Sequence, residues 1–233
     1  MTKEEAEAAT EYVQLMLRDT LRLVNVGGDR IQETASGILI KLDKRYFLLS
    51  AGHALKSGSW VIETNKTFYP AKVVVLGIPA PHVFHSLTED FAWSEFDFHS
   101  LIQKMQADPK FDANWIDVPT YIGPFPVEPD PKMPFGFASW KATEFLPGIN
   151  TLVREPHFEV GMKFDGIDKA NGLYRFLPAR KHQGHDYYRG CSGAPITDAS
   201  RRLVSLVACG IKERDDEVIW GTPLANYADQ IGR

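Results

Sequence analysis

The sequence predicts an all-β protein of sandwich or barrel type, preceded by one helix and divided near its middle by a proline-rich connection. Three observations carry this. Short apolar or β-branched runs recur from Leu21 to Pro223 with frequent turn signals between them. From Gln103 to about Pro134 the chain is rich in proline and aspartate, which reads as a connection between two halves. Only Thr2 to about Thr20 shows a helical apolar period.

That first segment opens with Thr2 and Glu5, the spacing of a capping box, with glutamates in the first turn where the helix dipole favours them. Ala6, Ala9, Val13, Met16 and Leu17 then form one apolar face. The face is expected to pack on the body of the domain, with docking of a regulatory protein partner as the alternative. Strands are expected at Leu21–Val26, Gly37–Leu42 and Arg45–Ser50, the last two joined by a hairpin turn at Asp43-Lys44. Trp60–Thr64 and Ala71–Leu76 read as two more, Pro79–Leu87 as a loop, and Asp90–Trp93 as the opening of another apolar segment. A short helix is expected at Phe98–Ala107. Beyond the connection, Phe135–Trp140, Phe158–Met162, Leu173–Leu177, Leu203–Val207 and Val218–Pro223 have strand character, and Ala225–Ile231 reads as a short C-terminal helix. There is no internal repeat and no low-complexity tract.

The 233 residues suffice for one large domain or two small ones. Hydrophobic content of 44%, charged content of 24% and a net charge of −4 are those of an ordinary globular protein. No dense Lys/Arg run argues for nucleic acid, and no stretch approaches the ~20 apolar residues that span a bilayer. Two cysteines, Cys191 and Cys209, are too few for a disulfide framework. One bridge between them satisfies the count, but two free thiols in a reducing cytosol are expected. The acidic start Lys3-Glu4-Glu5-Ala6-Glu7, with no apolar core after it, points the same way to a cytoplasmic location.

Chemistry concentrates at Tyr188-Arg189-Gly190-Cys191-Ser192-Gly193-Ala194-Pro195-Ile196. Glycines around a serine let the backbone come close to a ligand, so Ser192 is a candidate nucleophile if a histidine and a carboxylate can serve it. An ordinary Gly/Ser/Pro turn is the competing reading. All seven histidines (His53, His82, His85, His99, His157, His182 and His185) precede Ser192. Hydrolases with the order Ser, Asp, His are thereby excluded, as are papain-like cysteine enzymes. The order His, Asp, Ser survives, filled by His53 at the end of one strand and Asp90 at the start of another. The separations are 90 − 53 = 37 and 192 − 90 = 102 residues. Asp97 is the rival carboxylate, but no apolar-Ala pair follows it.

These motifs resemble the trypsin/chymotrypsin-like serine peptidases. Ser50-Ala51-Gly52-His53 resembles the family's Ala-Ala-His, Asp90-Phe91-Ala92 its Asp-Ile/Leu-Ala, and Gly190-Cys191-Ser192-Gly193-Ala194-Pro195 its Gly-Asp-Ser-Gly-Gly-Pro. The looser bacterial and cytosolic branch is the closer likeness. The resemblance covers about residues 21–228. It implies two antiparallel six-stranded β-barrels with the site in the cleft between them: a helix over 1–20, then a peptidase domain over 21–233, with barrels at about 21–115 and 120–225. It also implies a catalytic triad of His53, Asp90 and Ser192, and an oxyanion hole from the Gly190 and Ser192 N–H groups. The implied activity is that of a serine endopeptidase acting on a protein or peptide. A protease-fold protein that binds peptides without cleaving them is the main alternative, and an esterase using the same triad is the other.

The departures are informative. Cys191 stands where secreted zymogens have the aspartate that pairs with a newly cut N-terminus, so that switch is not expected here. The thiol is read as buried and inert, with an oxidation brake as the alternative. Asp186 lies six residues before Ser192, where the trypsin branch places the aspartate that pairs with a substrate Arg or Lys. Against this, an ungapped carry-over puts Ile219 where that branch has a pocket glycine, and His185 and Lys181 stand near Asp186 in sequence. The pairs His82/His85 and His182/His185 lack a third ligand at metal spacing, and no phosphate or dinucleotide loop is present. No cofactor or metal is expected.

Overall fold

The computed structural model describes residues 2–27, 30–68, 72–86, 88–97, 118–146, 151–181, 184–208 and 218–231. Helix α1 (Lys3–Asp19) forms where the capping box predicted it. Glu5 N donates to Thr2 Oγ1 at 3.2 Å and Thr2 N donates back to Glu5 Oε2 at 2.6 Å. The helix docks within the chain: the Tyr12 hydroxyl bonds the Thr197 carbonyl at 2.9 Å, and Trp140 Nε1 donates to Leu17 O at 3.3 Å. At its end Thr20 Oγ1 reaches both Met16 O (2.8 Å) and Ala138 O (2.9 Å). Arg201 pairs with Asp19 beside that bond. The helix thus ties the start of the first half to the second half.

The first half is an antiparallel sheet. Its strands are β1 (Thr20–Gly27), β2 (Arg30–Leu42), β3 (Arg45–Ser50), β4 (Trp60–Phe68), β5 (Lys72–Gly77), β6 (His82–His85) and β7 (Asp90–Phe96), with the one-turn helix α2 (Gly52–Leu55) after β3. Their order is β5-β4-β1-β2-β3-β7-β6. Among the described residues this is a half-barrel of seven strands rather than the closed six-stranded barrel expected. The segment read as a loop, Pro79–Leu87, contains β6, which pairs with β7 from His82↔Trp93 to His85↔Asp90. The hairpin turn at Asp43-Lys44 is present, with Asp43 at φ 54°.

The second half is a closed barrel of β8 (Phe135–Leu146), β9 (Thr151–Ile167), β10 (Tyr174–Leu177), β11 (Pro195–Asp198), β12 (Leu203–Val207) and β13 (Ile219–Pro223), in the order β10-β13-β12-β11-β8-β9. The part of the Pro-rich connection that is described, 118–134, holds no strand; its β-pairing is an isolated bridge from Tyr121 to Ile40. The helix expected at Phe98–Ala107 lies outside the described residues. The C-terminal helix is shorter than expected, a single 3-10 turn at Leu224–Asn226 followed by further turns.

Three apolar cores follow from the strand patterns. In the first sheet alternate residues separate. Leu39 and Leu48 fill its interior, while Ile38, Ile40, Phe47 and Leu49 face the other half. Both faces are covered, which is why β2 and β3 read as near-continuous apolar runs. The shared core adds Phe91 and Trp93 from the first half and Leu203, Leu206 and Tyr227 from the second, with Tyr227 stacked on Phe91 at 4.3 Å. A third core, including Phe135, Phe137, Phe176 and Val204, fills the closed barrel. The shared core is what fixes one half against the other, because apolar area is buried only while they stay together.

Candidate active site

His53 sits on α2, three residues beyond the end of β3. Gly52 before it stands where the resembling motif has an alanine, and the packing explains why. A Cβ there would lie 2.3 Å from the Phe84 carbonyl oxygen and 2.8 Å from Phe91 N. The absent side chain lets α2 settle onto β6 and β7, which brings His53 to Asp90.

Asp90 opens β7 and is only 1% exposed. Its carboxylate accepts the His53 backbone N–H at 2.8 Å, and His53 Nδ1 lies 3.0 and 2.9 Å from its two oxygens. An ionised carboxylate only accepts, so a ring bonded to it donates from Nδ1 and leaves Nε2 as an acceptor. The His53 side chain remains 29% exposed. Two further residues attend Asp90 without any signal in the sequence. Thr222 Oγ1, from β13 of the second half, donates to the Asp90 carbonyl at 2.8 Å. His85 Nδ1 lies 3.8 Å from Asp90 Oδ1, so β6 sets a second imidazole beside the same carboxylate. The rival Asp97 is exposed and follows the far end of β7.

Ser192 lies in the turn leading into β11 and is 9% exposed. The turn is held from within by Cys191 N to Tyr188 O (3.0 Å), Ala194 N to Cys191 O (2.8 Å) and Gly193 N to Val207 O (2.8 Å). From the first half, Ser36 N donates to the Ser192 carbonyl at 2.8 Å. Gly190 and Gly193 adopt φ of 88° and 85°, the left-handed region that glycine enters without strain. Gly193 also has no room for a side chain. A Cβ would stand 2.2 Å from Ser36 O, 2.4 Å from Ser50 Oγ and 3.0 Å from Ala51 N. Ser50 and Ala51 directly precede Gly52-His53, so the turn that carries Ser192 rests on the segment that carries His53.

Cys191 is a free thiol, fully enclosed, and burial pushes its pKa up to about 12. Cys209 lies outside the described residues. Asp186 is exposed, in the 3-10 turn His185–Tyr188, and its backbone carbonyl accepts from Lys141 Nζ at 3.0 Å. Ile219 is buried in the core of the second barrel. Nearby, Glu159 is buried with the Tyr188 hydroxyl donating to it at 2.8 Å, and burial raises its pKa. His157 packs against Tyr187 with ring centroids 4.5 Å apart, and burial lowers its pKa. Of the paired histidines, His82 stacks on Trp93 at 4.0 Å and His85 faces Asp90. His182 lies outside the described residues. Among the described residues no three His, Cys, Asp or Glu side chains converge as a metal site requires, and no helix is long and apolar enough to cross a membrane.

No protein-family model matches the chain, and no curated protein sequence matches it. Solved structures do. Deg5 is similar with a TM-score of 0.58 at 9% identity, covering 98% of this chain and 94% of its own. Neuropsin, a serine protease of mouse brain, is similar with a TM-score of 0.56 at 12% identity over 92% of each chain. The chain has the chymotrypsin-like double-barrel fold. An inactivated protease paralogue of the scabies mite, S-I1, is similar to the same degree, with a TM-score of 0.58 at 15% identity over 92% of each chain. The double barrel is therefore shared with a serine protease and with an inactivated protease paralogue. For the protease-fold chain described here, activity is a question for the site.

Proposed function

We propose that the protein is a serine endopeptidase working through His53, Asp90 and Ser192. The observation that carries this is the Asp90 carboxylate, buried at the barrel junction and bonded to both the ring and the backbone of His53. A buried carboxylate aimed at Nδ1 fixes the tautomer and stabilises the imidazolium that forms when the ring takes a proton. Ser192 Oγ attacks the scissile carbonyl while His53 Nε2 takes its proton, and the imidazolium then protonates the leaving amine. Water repeats the sequence on the acyl-enzyme. Each step returns the proton to where the next needs it.

The Gly190 and Ser192 N–H groups serve as the oxyanion hole in this reading. The amide between them, that of Cys191, turns inward to Tyr188 O. One such donor is worth about 3 kcal/mol of transition-state stabilisation in enzymes where it has been removed. Asp186 is the acidic group of the segment leading into the turn, and cleavage after Arg or Lys is the preference it implies. The natural substrate is a protein or peptide and the compartment the cytoplasm, a reading supported by the buried free thiol of Cys191. The outer face of α1 offers a surface for a regulatory partner.

A fluorophosphonate probe tests the assignment. Stoichiometric labelling of the native protein, abolished by Ser192→Ala, is expected. An unlabelled native protein would place the chain with the non-cleaving members of its fold. A peptide panel then reads specificity: loss of Arg/Lys preference in Asp186→Ala is expected, and no such preference in the unaltered protein overturns that part.

A further inference from the structure

Ser36 lies on β2, in the first half, at the seam with the barrel that carries Ser192. It is 1% exposed, yet all of its polar atoms are engaged. Its N–H bonds the Ser192 carbonyl at 2.8 Å. Its own carbonyl accepts from Ser50 Oγ at 2.7 Å. Its hydroxyl lies 2.9 Å from the Gly190 carbonyl, to which it donates, and 2.7 Å from Ser139 Oγ on β8. Ser139 is itself 3.4 Å from the same Gly190 carbonyl. Ser50 and Ser139 are wholly buried.

Direction follows from counting protons. A serine hydroxyl has one O–H to give. If Ser36 gives its proton to the Gly190 carbonyl, the shorter and better route, then Ser139 must give its proton to Ser36 Oγ. The hydroxyls form a directed pair ending on Gly190.

We infer that Ser36 is a positioning residue that clamps the nucleophile turn from the opposite half of the molecule. It holds the carbonyl on either side of Cys191, that of Gly190 with its side chain and that of Ser192 with its backbone. The first half also carries His53, through Ser50 and Ala51. One residue therefore sets the Gly190–Cys191 and Ser192–Gly193 peptide planes relative to the imidazole. The clamp is made of neutral hydroxyls around Cys191, which stands where the resembling secreted zymogens have a charged aspartate. It needs no cut N-terminus to form, so the turn is set as soon as the chain folds. The inference rests on the peptidase reading for its catalytic consequence, though not for the clamp itself.

Two measurements on the full-length protein separate these. Fluorophosphonate labelling rate reads the reactivity of Ser192, and hydrogen–deuterium exchange reads the order of residues 188–194 whether or not the protein is active. In Ser36→Ala the backbone bond to Ser192 O remains, while Gly190 O loses its nearest donor. Labelling is expected to slow roughly 10- to 100-fold and exchange of 188–194 to quicken by at least about tenfold, because a buried acceptor keeps only the long 3.4 Å contact with Ser139. Both are read well below the melting temperature. Ser36→Thr, which keeps the hydroxyl, is expected to recover most of the rate. Ser139→Ala is expected to give a smaller loss, and the double variant less than the product of the two, since both act on one carbonyl. Unchanged labelling and exchange in Ser36→Ala, or equal loss in Ser36→Thr, overturns the clamp. If the unaltered protein is not labelled at all, the peptidase reading fails, and exchange in Ser36→Ala still decides whether the clamp exists.

Discussion

Gly193→Ala tests how the nucleophile turn is seated on the histidine segment. Two separate costs can be worked from the geometry. The first is conformational: a residue with a Cβ at φ 85° pays roughly 1–2 kcal/mol for the left-handed region. The second is steric. The new methyl would sit 2.2 Å from Ser36 O and 3.0 Å from Ala51 N, both backbone atoms with no rotamer by which to withdraw. Relieving such overpacking costs roughly 1–3 kcal/mol of backbone shift. The sum is about 2–5 kcal/mol, which at roughly 2–4 °C per kcal/mol for a chain this size lowers Tm by about 4–20 °C. Gly172→Ala isolates the first cost. Gly172 has φ 71° and nothing within 4 Å of its would-be Cβ, so only about 1–2 kcal/mol is expected there. Thermal melts of the two variants give the comparison, and labelling of Ser192 well below each Tm gives the consequence. Gly193→Ala is expected to label far more slowly, because the backbone that shifts is the one bearing His53. Equal Tm losses in the two variants, or unimpaired labelling in Gly193→Ala, would refute the idea that this contact sets the site.

Three other expectations follow from single groups. Asp90→Asn keeps the size of the side chain but offers a donor where His53 needs an acceptor, so hydrolysis is expected to fall about 10⁴-fold, the loss measured for that change in a triad enzyme; steady-state rates on a peptide substrate check it. Burial pushes the Cys191 pKa up to about 12, so the thiol stays protonated around neutral pH. In a Cys209→Ser background the native protein should therefore resist aromatic disulfide reagents and react once unfolded, and stoichiometric reaction of the native protein would contradict this. Glu159 has its pKa raised by burial above the ordinary 4.5, against the opposing Tyr188 bond and Arg180. The folded state thus prefers the acid form, a preference that stabilises below about 4.5 and is lost as pH rises through the raised value. Glu159→Gln, which can still accept from Tyr188, is expected to raise Tm at pH 7 and to lose that advantage by pH 4; a lower Tm at pH 7 would show that the carboxylate is net favourable.

What could be read from the sequence divides by the range of the interactions. Strands β1, β3 and β12 announce themselves because each buries consecutive apolar residues in a five- to eight-residue run. β6 did not, since its four residues are two histidines flanking Val83 and Phe84, too little for a period to show. β11 was hidden behind Pro195, which reads as a turn. Proline is tolerated at the first residue of a strand, and the remaining Ile196, Thr197 and Asp198 pair with β12 and β8. The order His, Asp, Ser pointed to the His53–Asp90 pair because each residue lies at a strand end with a motif around it.

The supporting groups carry no such mark. Thr222 meets Asp90 across 132 residues, and Ser36 meets Gly190 across 154. In each case the chemistry of the residue is generic, and its importance comes from which half of the molecule presents it. Glycine has the opposite status. Gly52 looked like a departure from the family pattern and Gly193 like part of a turn, yet each is required by backbone atoms close enough to exclude a methyl group. The proposed site is thus specified twice: by three candidate side chains that sequence order can select, and by close approaches between two halves that only the folded chain reveals. A variant that keeps the triad but loosens the seam, such as Ser36→Ala or Gly193→Ala, separates the two specifications. The triad residues alone would predict such a variant to be active, while the packing predicts it to be impaired.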